Sequence, residues 1–252
     1  MRAFIAFTKK EITESARTYK LLIIFAVFLL FGMLNPITAK IMPELLSSLL
    51  PEGMTVTLAE PSALDSWKQF YKNMSTQLII FVIVFSGVVA NELSKSTLIN
   101  MLTKGLPRKT VMLSKFTSAT LIWTLGLLLC FATTYGYTVY LLPGKLPNII
   151  FSVFCLWLFG VLLISVMLLG GVLFGNIYGS LLVTGGFSLL LMLLNIAPKL
   201  QKYNPYLLSS GNMSLLTSDM AAADFSFSIV ITCISILFIL IGALMIFDKK
   251  AI

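Results

Sequence analysis

Histidine is missing from the chain altogether, and charge of either sign is scarce: 18 Lys and Arg with 10 Asp and Glu make up only 11% of the 252 residues. These absences exclude much. Without histidine there is no Ser-His or Cys-His nucleophile pair, and no carboxylate pair or metal cluster falls within the apolar segments, so intramembrane hydrolysis lacks its residues. A phosphate-binding loop of the form Gly-x-x-x-x-Gly-Lys-Ser/Thr is also missing; the sole Gly-Lys step, Gly144-Lys145, leads into Leu-Pro. Cysteine is limited to Cys130, Cys155 and Cys233, each inside an apolar stretch where it reads as a small packing residue. The chain is therefore expected to be no enzyme, with no catalytic, cofactor-binding or metal-ligating residues of its own.

What is present is apolar surface. Hydrophobic residues make up 58% of the chain and mean hydropathy is +0.97, values foreign to a soluble domain. A helix needs about 20 apolar residues to cross a hydrocarbon core of roughly 30 Å, and six stretches qualify: 21–42, 74–90, 116–142, 149–174, 177–196 and 227–247. The charge-free run from Ile149 to Ile196 is too long for one span, and Gly175-Asn176 is its natural turn. The expected fold is an all-α integral membrane domain over 1–252, with six transmembrane helices and an amphipathic helix over 1–20. The first span is expected to serve as its own insertion signal, since the first apolar run begins only at Leu21.

Basic residues mark the cytoplasmic face. The segments on the side of the termini carry twelve Lys and Arg against four Asp and Glu, whereas the opposite loops carry six of each. Both termini are expected in the cytoplasm. Topology and anionic lipid then account for the basic balance, and nucleic acid is not needed as a partner. No ionisable residue falls in the middle of a span, which argues against an ion-coupled transporter.

On a helical wheel, Ile5 and Ile12 gather on one side of the N-terminal segment and Lys9, Lys10 and Arg17 on the adjoining side, predicting an elbow helix in the membrane interface. After the second span, Leu98, Met101 and Leu102 fall at i, i+3 and i+4, so a short helix from about Glu92 presents one apolar patch, and Gly105 and Pro107 stop it. Such a helix suits a groove on another protein. The first outer loop, 43–73, carries Trp67, Phe70 and Tyr71 at helical spacing, read as an interfacial aromatic belt. Polar residues of the spans that could face a path are Gln77, Ser86, Thr133, Tyr137, Thr184 and Asn195, with helix-to-helix hydrogen bonding as the alternative role. Residues 197–226 are read as an outer re-entrant segment.

The stretch 91–115 resembles the ABC-2 type transporter permeases. The matching residues are Glu92, Ser96-Thr97-Leu98, Met101-Leu102, Pro107-Arg108 and Lys115, with Ser96 where the commoner form has Gly, and with Pro107 and Arg108 adjacent rather than separated. Asn204-Pro205 is similar to the step that opens the family's outer segment between spans five and six. The resemblance implies a bacterial permease subunit in the plasma membrane. Residues 91–115 and the elbow helix would contact a separate cytoplasmic ABC ATP-binding subunit that carries the ATP and Mg, a second permease copy would complete a homodimer or heterodimer, and Asn204-Pro205 would form an outer gate. A hydrophobic or amphipathic peptide, toxin or drug is the cargo expected for apolar spans. A nontransporting immunity or sensor protein that binds a toxin or partner in the bilayer would share the same hydropathy.

Overall fold

The structure, a computed structural model, describes residues 2–49, 60–94 and 105–250. Every regular element among them is helical. Helix α1 (Arg2–Arg17) ends one residue short of Thr18-Tyr19, where Tyr19 takes a left-handed φ of 59° and turns the chain into α2 (Lys20–Leu49). Helix α3 (Ala63–Phe85) passes with a slight break at Ser86 into α4 (Gly87–Ser94), and α5 covers Arg108–Leu141. Helices α6 (Ile149–Phe174) and α7 (Ile177–Leu194) follow, then the short α8 (Pro198–Gln201), α9 (Leu207–Ser210) and α10 (Asn212–Leu216), a 3₁₀ turn over Ala222–Phe225, and α11 (Ser226–Lys249).

Among the described residues, six helical segments are long and apolar enough to cross a membrane: Lys20–Leu45, Ala63–Leu93, Arg108–Leu141, Ile149–Phe174, Ile177–Leu194 and Ala222–Lys249. The turn between α6 and α7 falls at Gly175-Asn176. Gly175 adopts φ 66°, open to glycine without strain, and the Asn176 side chain accepts from the Gly179 amide at 2.7 Å to cap α7.

One boundary differs from the sequence expectation. Helix α3 begins at Ala63, with the Asp65 carboxylate accepting from the Ser62 amide and hydroxyl at 3.1 and 2.8 Å, so the second span takes in residues assigned above to an outer loop. Trp67 and Phe70 accordingly are not an interfacial belt: they are 1% and 0% exposed and pack within the bundle. Helix α5 starts at Arg108, directly after the Pro107 stop, and its 34 residues extend about 50 Å, longer than the hydrocarbon layer is thick.

Helix α6 forms the centre, in contact with α3, α4, α5, α7, α9, α10 and α11. Its Gly160 leaves room for Trp123 of α5, whose ring lies where a Cβ would stand, and Trp123 also meets Phe28 and Phe81 edge-on with centroids 5.7 and 5.5 Å away. Helix–helix association in lipid depends on such close packing because the tails are as apolar as the side chains. Neutral polar contacts tie α2, α3 and α5 together in the half of the bundle away from α1. The Asn35 amide donates to Thr134 at 3.2 Å and accepts from Asn73 at 2.8 Å, and the Ser66 and Thr138 hydroxyls lie 2.6 Å apart.

Candidate functional site: an ionic cluster at one end of the bundle

Helix α1, the end of α4, the start of α5 and the last residues of α11 meet at one end of the bundle, and charge holds them. Lys115, near the start of α5, is 1% exposed; it donates to Glu11 of α1 at 3.0 Å and forms an ion pair with Glu92 of α4 at 2.7 Å. Lys10 of α1 reaches Glu11 at 3.0 Å, Glu14 at 2.8 Å and Glu92 at 2.8 Å. Phe7 provides the floor, its ring 5.0 Å from the Lys10 nitrogen and 5.8 Å from that of Lys115. Three carboxylates against two ammonium groups leave one negative charge, which Lys20 balances from the wall of a cavity of about 40 Å³ that it shares with Glu11, Glu14 and Glu92. That volume is room for water among polar walls.

The electrostatics follow from burial and pairing. Burial opposes the charge on Lys10, but its hydrogen bonds to Glu14 and Glu92 and the field of Glu11 outweigh that cost and hold its ammonium above the ordinary lysine range. Burial likewise opposes ionisation of Glu14, yet the Lys10 hydrogen bond and charge keep its carboxyl below the usual glutamate value. Oxygens of Glu11, Glu14 and Glu92 lie within 4.8 Å of one another, a spacing that fits a cation. Lys10 and Lys115 already fill that role. Removing one partner from a buried pair of this kind costs about 3–5 kcal/mol, because the other charge is left stranded.

Two further cations close the same end by capping helices. The Arg108 guanidinium donates to the carbonyls of Phe247, Asp248 and Lys250 at 2.8, 3.0 and 2.7 Å, satisfying the C-terminus of α11. The Lys250 ammonium donates to the Val172 carbonyl at 2.6 Å, at the C-terminus of α6. Cations at these positions meet unpaired carbonyls and the negative end of the helix dipole.

Glu92, Lys115 and Lys10, predicted to serve contacts with another protein, thus face one another. Arg108 faces α11, and Pro107 stands at the N-cap of α5. Ser96, Thr97, Leu98, Met101 and Leu102 lie outside the described residues. In the elbow helix Ile5, Lys9 and Arg17 are exposed and Ile12 is half-buried. Glu11 and Glu14 were not singled out from the sequence. The available signal was Phe7 and Glu11 at i, i+4 with Lys10 and Glu14 at the same spacing, placing carboxylates along the packed edge of an amphipathic helix.

The path candidates do not converge. Gln77 is fully buried beside Cys130, between α3 and α5, and Ser86 closes the break after α3 by donating to the Ile83 carbonyl at 2.8 Å. Tyr137 lies on the outward face of α5 with Thr133 near it, and the Asn195 carbonyl accepts from Gln201 at 2.9 Å. Thr133 and Tyr137 line an open pocket of about 540 Å³ on the face of α5, and Thr184 lines a separate groove. This groove, of about 380 Å³, runs between α3, α6 and α7, with Leu78, Val82, Phe159 and Leu189 among its apolar walls and the hydroxyls of Ser75, Ser188 and Ser209 along it. Asn204 is 5% exposed and its amide donates to the Leu191 carbonyl at 2.7 Å, while its oxygen accepts from the Tyr206 amide at 3.0 Å, so it ties the segment after α7 back to that helix.

No family model matches the chain. Over 145 residues, 56% of the chain, it is 26% identical to a Bacillus subtilis (strain 168) protein named as the uncharacterized transmembrane protein YxlG, and the match spans 54% of that protein. The chain thus matches about half the length of this relative. Six apolar helices and a relative named for its membrane spans agree that this is a multi-pass membrane protein.

Proposed function

We propose that the chain is the membrane-spanning subunit of an ATP-driven exporter of the ABC-2 permease type. One observation carries the reading: residues 95–104 are bracketed by Glu92 and Lys115, which pair with each other and with α1. A push on that loop by a cytoplasmic partner therefore reaches the second span, the third span and the elbow helix together, the kind of rigid linkage by which closure of an ATPase pair tilts spans. The residues resembling the family's loop supply both halves of the linkage.

The groove between α3, α6 and α7 supplies half of a path, which a second permease copy completes. Its apolar walls and few hydroxyls suit a hydrophobic or amphipathic peptide, toxin or drug. ATP and Mg belong to the partner, since the chain has no phosphate-binding loop. The basic end, with both termini, faces the cytoplasm of a bacterium, and the protein resides in the plasma membrane.

The test is purification of the tagged chain from its host in mild detergent, with stoichiometric companions identified by mass spectrometry. A companion carrying a phosphate-binding loop supports the proposal and shows whether the permease pairs with itself or a sister chain. Repeated absence of such a companion from intact membranes contradicts it and favours a nontransporting immunity or sensor role.

A further inference from the structure

Helix α1 presents three faces, and the ionic cluster uses only one. Phe7, Thr8, Glu11 and Ser15 are buried toward the bundle. At about 100° per residue, Ile5, Ile12 and Ala16 fall on the next arc round the helix; Ile5 is 65% exposed and Ile12 half-buried. The arc beyond it carries Arg2, Lys9, Thr13 and Arg17, all exposed. Lys9, Thr13 and Arg17 stand at i, i+4 and i+8 and line one open groove of about 470 Å³ with Ala6, Lys10 and Glu14. Among the described residues, Arg2, Lys9 and Arg17 enter no ion pair, whereas the Glu14 carboxylate in that groove is already held by Lys10 at 2.8 Å.

We propose that this arc is a binding surface for the head groups of anionic phospholipids, a lipid phosphate seating between Lys9 and Arg17 while Ile5 and Ile12 enter the upper acyl region. The order of the faces selects the occupant. Going round α1 from the bundle, the apolar arc comes first and the basic arc second, the sequence that a helix lying in a bilayer interface meets as protein, acyl chain and head group. An acidic soluble protein would match the basic arc but leave exposed Ile5 without a role. The inference does not depend on the transporter reading.

The test uses the full-length chain reconstituted into nanodiscs of phosphatidylcholine with a minor fraction of phosphatidylglycerol, with retained lipid counted by native mass spectrometry. The wild type is expected to retain phosphatidylglycerol in preference, and less so as salt rises. In K9Q/R17Q the preference should fall about thirty-fold, about a factor of five for each surface charge removed. The charge-keeping K9R/R17K should preserve it, as should K145Q/K199Q, which alters exposed lysines outside α1. Equal retention of the two lipids by the wild type, insensitivity to salt, or an undiminished preference in K9Q/R17Q overturns the proposal. Both glutamine substitutions are at exposed positions, and an unchanged melting temperature establishes that the variant is folded.

Discussion

The two ends of the bundle are fastened by different chemistry. At the end carrying α1, ion pairs join segments far apart in the chain: Lys10 to Glu92 across 82 residues and Lys115 to Glu11 across 104. At the opposite end the ties are mostly neutral. The Ser228 hydroxyl donates to the Lys202 and Asn204 carbonyls at 2.9 and 3.0 Å, the Asn212 amide to the Leu208 carbonyl at 3.1 Å, and the Ala63 amide to the Pro143 carbonyl at 2.9 Å. Neutral side-chain caps have a single good geometry and little response to pH or salt. A cluster in which Lys10 has three carboxylate partners and Lys115 two can exchange partners as its helices shift, without leaving a charge bare. The first end is thus held by a shared set of buried charges and the second by neutral hydrogen bonds of fixed geometry.

The largest effect should come from Lys115→Met, which removes a buried cation and leaves Glu11 and Glu92 to share Lys10: a loss of about 3–5 kcal/mol, read as a lower melting temperature in detergent. Labelling of the buried thiols of Cys130 and Cys155 by a maleimide dye reports that unfolding. At the other end, Asn204→Ala removes the bonds to Leu191 and Tyr206 and should cost about 1–3 kcal/mol, with no dependence on pH between 4 and 10 beyond that of the wild type. Equal pH sensitivity at the two ends would break the comparison.

Acid and base should weaken the ionic end selectively. Glu14 titrates below its ordinary value of 4.5 in the folded protein, so its contribution is fully present above that pH and is lost as pH falls through the lowered value. Lys10 titrates above its ordinary 10.5, so its contribution is present below that pH and is lost as pH rises through the raised value. The plateau between the two is checked by melting temperature against pH, and the expected change at either edge is smaller than that from Lys115→Met. Smallest of all should be Lys68→Ala at the neutral end. Its pair with Asp65, 3.0 Å apart, has side chains 53% and 39% exposed, and exposed pairs contribute about 0–1 kcal/mol. The contrast between Lys115 and Lys68 separates burial from charge as the cause.

The six spans were legible because hydropathy reports them directly, and the α6–α7 turn because a charge-free run of that length must reverse at its Gly-Asn step. The start of α3 was not, since Asp65, Lys68 and Lys72 interrupt the apolar pattern although Trp67 and Phe70 face inward. Hydropathy was also silent on position within the bundle. Helices α6 and α7 are both free of charge, yet 72% of the apolar window of α6 is buried against 22% for α7, because lipid and protein are equally apolar surroundings. Glu92 and Lys115 were readable as functional candidates from their local pattern. Their pairing with Glu11 was not, because it depends on how α1 docks against α4 and α5.

The most direct measurement is a double-mutant cycle between Glu92 and Lys115, comparing the unfolding free energies of Glu92→Gln, Lys115→Met and the double variant with the wild type. If α4 and α5 are locked through this pair, the double variant should be little worse than Lys115→Met alone, giving a coupling energy of about 1–3 kcal/mol. Additive losses would show that the two residues act independently, and would contradict the ionic end as one coupled unit.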